Sequence, residues 1–389
     1  MFIVIVSLIL GTVMAVALLS IKFLFSEHLA KKFYKIFALA DATIIAVILV
    51  GWAARSLVPQ LFVTVFGNCA TIFLMTQLIC GILVLGAVII RFVYRKLHKP
   101  SPFNPARRRA LAHGLILPAI GFAASVYANR IEKNSDVENF YDVPIKNLPP
   151  DLEGFRIAQI SDIHLGAYYS LERLESLLQR IADSKPDLLA ITGDIFDDVQ
   201  MNPAAVKIVD AFTDKFKFGI YYCHGNHEHF RGIPQIEAEL NETKINWLVN
   251  ENRCVTSKLY ILGVDYPDRA PMMSANDEER KAAFRAARKN YVDNAEAGIP
   301  TDAVKILLAH HPEFIDDGAE RKFALTLTGH THGGQIGLFG VPIFPVFKYT
   351  RGIIKSGDSI GYVHVGNGSW FPFRLGCPPE IAYFTLRGV

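Results

Sequence analysis

The stretch FALTLTGHTHGGQ, residues 323–335, runs through apolar residues into His330 and His332, one residue apart, and then directly into Gly333 and Gly334. Imidazoles ligate metals and carry protons near neutral pH. Along an extended segment, side chains two apart face the same way, so both rings would stand together where the strand ends, in the posture of a metal site. The glycines behind them permit a tight turn and close approach of a substrate to the backbone.

Four further stretches repeat the pattern of a short apolar run closing on polar residues. FRIAQISDIHLG ends in Asp162 and His164, LLAITGDIFDD in Asp194, Asp197 and Asp198, GIYYCHGNHEH in Asn226 and His227, and VKILLAHHP in His310 and His311. The runs are short and partly β-branched or aromatic, which favours strands. Between the first two, Leu174, Leu177, Leu178 and Ile181 recur at helical spacing, giving a strand, helix, strand unit. A second, exposed helix is expected over residues 277–290. Ligands in α/β sheets gather beyond the carboxyl ends of strands, so one pocket would collect all five clusters. A lone Asp after a strand is usually a cap and a lone His usually packs. Five clusters in series, mixing carboxylate and amide oxygens with imidazoles and no thiolate, suit Mn, Fe or Zn rather than Ca or a structural Zn site.

The order DxH, GDxxDD, GNHE, an apolar run with His, and GHxH resembles the calcineurin-like metallophosphoesterase superfamily over about residues 140–389. The GHTHGGQ ending and the later GCPPEIAYFTL are most similar to its membrane-associated bacterial phosphoesterases. The resemblance implies an α/β fold of two facing β-sheets flanked by helices, a β-sandwich with two divalent metal ions at one edge. Carried over motif by motif, it implies Asp162, His164 and His332 on one metal, Asn226, His310 and His330 on the other, and Asp194 as the bridge. The residue chemistry agrees, because an acidic bridge offsets the repulsion of cations about 3.5–4 Å apart and neutral imidazoles leave positive charge for a phosphate. The implied reaction is hydrolysis of a phosphate mono- or diester, with water as nucleophile. His227 is then placed to protonate the leaving oxygen, and Asp197 to orient His227. With the ligand count filled, His224, His229 and His311 fall to supporting or surface positions, and Asp198 to a cap or acceptor. One departure stands out: many relatives carry an Arg where YVHVGNGSW has Val365 before Gly366, which leaves Arg374 as the candidate phosphate clamp.

These clusters occupy the second part of a chain that is 51% hydrophobic with mean hydropathy +0.25, high for a wholly soluble protein. Residues 1–21, 36–54, 61–90 and 110–128 are predominantly apolar and uncharged apart from Asp41 and the titratable His113, and read as about four transmembrane helices. The third is read as one tilted helix, since a hairpin would need roughly 40 residues plus a turn. Domains are accordingly expected at 1–128 for a helical anchor, 129–154 for a polar linker and domain start, and 155–389 for catalysis. Lys22, Lys31, Lys32 and Lys35 fill the first connection and a run from Arg91 to Arg109 the third, whereas the second has only Arg55. By the positive-inside rule this predicts a multi-pass protein with its catalytic domain extracytoplasmic, and the resemblance to bacterial phosphoesterases implies a bacterial inner membrane. Asp41 reads as an interfacial carboxylate beside those lysines. ARRRALAHG before the fourth segment and SVYAN after it also look somewhat like a cleavable signal.

A net charge of +3, with the basic residues clustered at membrane-facing connections, argues against nucleic acid. The five cysteines, Cys69, Cys80, Cys223, Cys254 and Cys377, contain no CxxC and read as free thiols. Residues 337–352, GLFGVPIFPVFKYTRG, are apolar and aromatic with Lys348 and Arg351 behind them, and read as a loop packed on the domain or a lip meeting a bilayer or acyl chain. The expected partners are thus a phosphorylated substrate, lipid-linked or from the cell envelope, and the bilayer itself. Hydrolysis of the pyrophosphate in a UDP-diacylglucosamine precursor is implied by the resemblance but opposed by the predicted topology. The competing class is a receptor or transporter that binds a phosphorylated ligand without turnover, and it would want more polar residues at mid-span.

Overall fold

A computed structural model describes residues 27–53, 58–97, 116–267, 277–338, 340–343, 345–369 and 371–389. The chain divides into two compact units, Met1–Ile131 and Glu132–Val389.

The first unit contains the helices Glu27–Ala53, Gln60–Leu97 and Ile116–Arg130. Residues 61–90 do form part of one continuous helix, and at 38 residues Gln60–Leu97 is the one helix among the described residues long and apolar enough to cross a membrane. Of the four spans expected, only this one passes that test among the described residues. Residues 1–21 lie outside the described residues, as do 110–115 of the fourth segment, and the described remainder of that segment belongs to a helix of 15 residues. Asp41 is 2% exposed and accepts a hydrogen bond from Gln77 Nε2 at 2.8 Å. Asn129 donates likewise to Asn68 at 2.9 Å. Apolar helices use such buried polar pairs to fix which faces meet.

In the second unit, alternating apolar runs build two six-stranded mixed sheets, beside a two-stranded ribbon of β10 (Gly337–Leu338) and β11 (Val341–Pro342). The first has the order β1 (Val137–Ile145), β14 (Glu380–Gly388), β2 (Arg156–Ile160), β3 (Leu188–Thr192), β4 (Ile220–Cys223), β5 (Asn246–Trp247). The second runs β12 (Gly352–Ser356), β13 (Ser359–Val363), β9 (Leu325–Thr328), β8 (Val304–Leu308), β7 (Leu259–Gly263), β6 (Glu251–Thr256). Strands β2, β3, β4 and β5 are parallel, as are β7, β8, β9 and β13, so each sheet presents several carboxyl ends on one edge. Residues on β3 alternate between two cores. Leu188 and Ala190 join Ile306, Leu308, Leu325 and Leu327 between the sheets, while Leu189 and Ile191 meet the helices Leu171–Asp183 and Asn202–Ala211. On the second sheet, Leu262 and Leu307 pack on Val292 of the helix Asp277–Glu296 and Phe314 of the helix Phe314–Glu320.

The helix Leu171–Asp183 follows its sequence signals, with Leu174, Leu177, Leu178 and Ile181 buried and the Ser170 side chain accepting the Arg173 N–H. The segment read as a polar linker and domain start contains β1, paired in parallel with β14 over nine residues. It resembles a linker in composition because it is an edge strand with most of its side chains exposed or half-buried. All five cysteines are free.

Candidate metal centre

The five polar clusters meet where the two sheets align their carboxyl ends. Asp162 and His164 follow β2, Asp194 and Asp197 follow β3, Asn226 and His227 follow β4, His310 follows β8, and His330 and His332 follow β9. The strand expected to carry the last two ends at Thr328, so they are not neighbours on an extended segment. They occupy a looped turn at φ 73° and 51°, which turns them to different partners: the His330 ring lies 4.9 Å from His310 and the His332 ring 4.8 Å from His164. Of ten non-glycine residues at positive φ among those described, five are Asp162, His164, Asp194, His330 and His332. Side chains disfavour that conformation, and it concentrates where structure around a site over-determines the backbone.

Asp194 stands at the middle. Its Oδ1 accepts the backbone N–H of His227 at 2.9 Å, which leaves Oδ2 facing His310 Nε2 at 3.1 Å and His164 Nε2 at 3.6 Å. Asp162 accepts the His330 N–H and turns Oδ1 toward His332 Nε2 at 3.5 Å. His164 and His332 bring their Nε2 atoms within 3.0 Å. The opposite nitrogens fix the rings: His310 donates Nδ1–H to the Thr192 carbonyl at 2.6 Å, and His164 Nδ1 meets Asp197 Oδ2 at 3.1 Å. Two glycines make the approach possible. A Cβ on Gly225 would sit 2.1 Å from Asp194 Oδ1, and one on Gly329 would sit 2.4 Å from Asp162 Oδ2.

This donor set fits divalent cations. Asp162, His164 and His332 form one group of closely placed ligand atoms, Asp194, His310 and His330 another, and Asp194 with His164 and His227 a third that links them. Asn226 Oδ1 is buried without a hydrogen-bond partner. The electrostatics ask for positive charge. Burial opposes a proton on His310, yet Asp194 and Asp162 outweigh it and draw the ring up to about 10. His330 and His332 are held well below the usual imidazole value, by burial first and then by neighbouring imidazoles, so their lone pairs stay available.

Behind the ligands, His227 Nδ1 lies 2.9 Å from Asp197 Oδ1. Burial lowers its pKa, but the nearby Asp197 carboxylate and the Asp194 charge more than reverse that, so the ring is easier to protonate than a free imidazole. Asp197 is held well below the usual carboxylate range despite burial, by the imidazoles of His164 and His227 beside it. Arg231 adds a third contact, Nε to Oδ1 at 2.7 Å.

Sequence reasoning missed Arg231 and, more consequentially, Glu228. That carboxylate is fully buried and accepts the backbone N–H groups of Asp194, Ile195, Phe196 and Gly225 at 2.8–3.0 Å. The signal was there in GNHE, since a Glu three residues after a turn glycine reads as a cap of a short helix. Arg374 is not a phosphate clamp. It is fully buried and donates to the carbonyls of Val365, Gly368 and Cys377 and to Ser369 Oγ. Gly333 serves packing rather than substrate approach, because a Cβ there would meet Val365 and Cys377 at 2.7 Å. Asp198 accepts the N–H of Gln200 at 2.9 Å and of Met201, as a cap does. His224 and His311 are buried, not on the surface.

The calcineurin-like phosphoesterase family profile matches residues 155–334. An uncharacterized metallophosphoesterase of Bacillus subtilis, YkuE, is 30% identical over 292 residues, covering 72% of this chain and 94% of that protein. A transmembrane protein with metallophosphoesterase domain from Danio rerio is 26% identical over 282 residues, covering 70% of this chain and 61% of its own length. Among solved structures, a dimetal phosphatase from Danio rerio aligns with 11% identity and a TM-score of 0.36, covering 57% of this chain and 90% of that one. The chain therefore belongs to the calcineurin-like metallophosphoesterase family, which binds divalent metals.

Proposed function

We propose that this protein is a membrane-anchored phosphoesterase with two divalent metal ions, Mn, Fe or Zn, and that it hydrolyses a phosphate mono- or diester. The observation that carries this reading is the position of Asp194, whose Oδ2 faces one imidazole from each half of the site, His164 and His310. Asp162, His164 and His332 would hold one ion, and Asn226, His310 and His330 the other. When bound, the ions supply a nucleophile from water and neutralise charge on the phosphoryl oxygens. His227 gives its proton to the leaving oxygen as the phosphorus–oxygen bond breaks, and Asp197 holds the ring for that transfer.

A cavity of about 380 Å³ supports this use, since Asp194, Asn226, His227 and His330 share its walls with Val346 and Phe347. Those last two residues extend the exposed apolar turn that carries Leu338, Val341 and Val346 at 60%, 65% and 82% exposure. An apolar rim beside phosphate chemistry, on a chain with a helix fit to cross a membrane, favours a lipid-linked or envelope phosphate as substrate. Anchoring by several helices in a bacterial inner membrane, with the catalytic domain extracytoplasmic, remains part of the proposal on the distribution of Lys and Arg. A reporter fused after Val389 tests the side, and activity of a cytoplasm-dependent reporter overturns it.

The deciding experiment is turnover of a nitrophenyl phosphate monoester and its bis-ester by the purified full chain with Mn²⁺, Zn²⁺ or chelator, followed by lipid-linked phosphates. Metal-dependent hydrolysis lost in Asp194→Asn is expected. No turnover of any of these substrates with any metal would leave a protein that binds phosphorylated ligands and overturn the enzymatic reading.

A further inference from the structure

Outside the centre just described, three more ligand-type side chains converge. His224 follows β4 directly, His229 lies on the short helix Asn226–Phe230, and Asp265 follows β7 by two residues. Their ligand atoms all lie within 4.8 Å of one another. The groups at the main centre chain together through His164 and Asp194, whereas this one shares no residue with them. It is nonetheless built the same way, from the carboxyl ends of one strand in each sheet.

Asp265 Oδ1 is 2.9 Å from His229 Nε2 and 3.4 Å from His224 Nδ1. A tetrahedral ion with ligands at about 2.0–2.2 Å has ligand atoms about 3.3–3.6 Å apart. The corresponding spacings at the main centre are 3.1 Å for His310 to Asp194 and 3.5 Å for His332 to Asp162. A plain hydrogen-bonded trio does not account for His224. Its ring is fully buried and stacked at 5.9 Å on Trp247, yet neither nitrogen makes a hydrogen bond, the approach of Nδ1 to Asp265 included. A buried imidazole with both nitrogens unsatisfied is costly and calls for a partner. Asp265 is anchored for the role, its N–H bonded to Asn250 Oδ1 at 3.0 Å and its Oδ1 accepting the Tyr266 N–H at 2.8 Å. His229 and Asp265 keep 11% and 18% side-chain exposure, which gives an ion a way in, while His224 closes the inner side at 0%.

We infer that His224, His229 and Asp265 form a further cation site, for a first-row divalent metal with zinc best matched. Two imidazoles and a carboxylate are a zinc-type donor set that leaves one position open to water or another ligand. Its consequence for the enzyme follows from His229. The helix Asn226–Phe230 is only five residues long and also carries Asn226 and His227, so an ion on His229 fixes the element that presents both. The site thus acts as a positioning device for the main centre.

The test uses the full chain in detergent, stripped with chelator and reloaded with Zn²⁺ or Co²⁺, with bound metal per chain and the Co²⁺ visible spectrum as readouts. His229→Gln and Asp265→Asn are each expected to bind one ion fewer than the parent. Asp194→Asn should keep that ion and the four-coordinate Co²⁺ bands that His229→Gln loses. His229→Gln is the primary variant because its ring is partly exposed, and Asp265→Asn checks it. Equal stoichiometry in the parent and both variants overturns the proposal, as does an Asp194→Asn protein that binds no metal. Unchanged stoichiometry in Asp194→Asn would instead count against the dinuclear reading of the main centre and leave this site standing.

Discussion

The carboxylate of Glu228 accepts the backbone N–H of Asp194 at 3.0 Å, so the residue at the middle of the metal centre is held by a side chain that faces no substrate. The same carboxylate holds Ile195, Phe196 and Gly225. Glu228→Gln turns one end of the group from acceptor to donor and sets an N–H against N–H groups it had satisfied. The expected cost is about 2–4 kcal/mol for strained hydrogen bonds to a buried charge. In thermal unfolding of the purified chain this reads as a loss of roughly 4–16 °C in Tm. An unchanged Tm would show that the loop is held by other means.

His227→Ala separates proton donation from binding. With an alkyl phosphate, whose leaving oxygen needs a proton, kcat should fall by roughly 10²–10⁴-fold. With a nitrophenyl ester, which leaves as a stable anion, the loss should be much smaller. Equal losses on both would assign His227 to substrate binding instead.

The ionisation of His227 offers a pH prediction in metal-stripped protein. Its folded pKa is raised, because Asp197 and Asp194 outweigh burial. A raised folded value means stabilisation fully present below the unfolded value of about 6.5 and lost as pH rises through the folded value. Asp197→Asn should bring the His227 titration down, followed by imidazole NMR, and move the loss of stability to lower pH. A titration midpoint unmoved by Asp197→Asn would sink this account.

Arg374→Lys should destabilise without touching substrate affinity. The guanidinium satisfies three carbonyls and a hydroxyl inside the domain, which a lysine ammonium cannot span. A stability loss of about 2–4 kcal/mol is expected, in the range for breaking a buried network. KM for the nitrophenyl ester should stay within about twofold, uniform binding being unaffected. A large rise in KM with unchanged Tm would restore Arg374 as a clamp.

Much of the centre could be read from the chain because parallel sheets deliver their carboxyl ends to one edge, so Asp162, Asp194, Asn226, His310 and His330 announce themselves by what precedes them. What could not be read depended on backbone turns and on distant contacts. The left-handed φ of His330 and His332 has no signature in TGHTHGG beyond its glycines, so an extended reading predicted side-by-side rings where the structure separates them. Arg374 reads as a free cation until the carbonyls of Val365 and Gly368 surround it. The strand Val137–Ile145 hid as a linker because its partner, Glu380–Gly388, lies more than two hundred residues further along the chain. In the helical unit, hydropathy marks apolar stretches well, but Asp41 shows that a carboxylate beside lysines in sequence can turn inward to a glutamine.

The pairing of β1 with β14 also sets an order of events during synthesis. β14 lies between β1 and β2, so the first sheet cannot close until residues 380–388 have left the ribosome. Until then β1 and one edge of β2 stay uncovered, and a nascent chain held there is open to chaperones or to wrong partners. Loss of Glu380–Gly388 would therefore remove an interior strand of the first sheet rather than an edge.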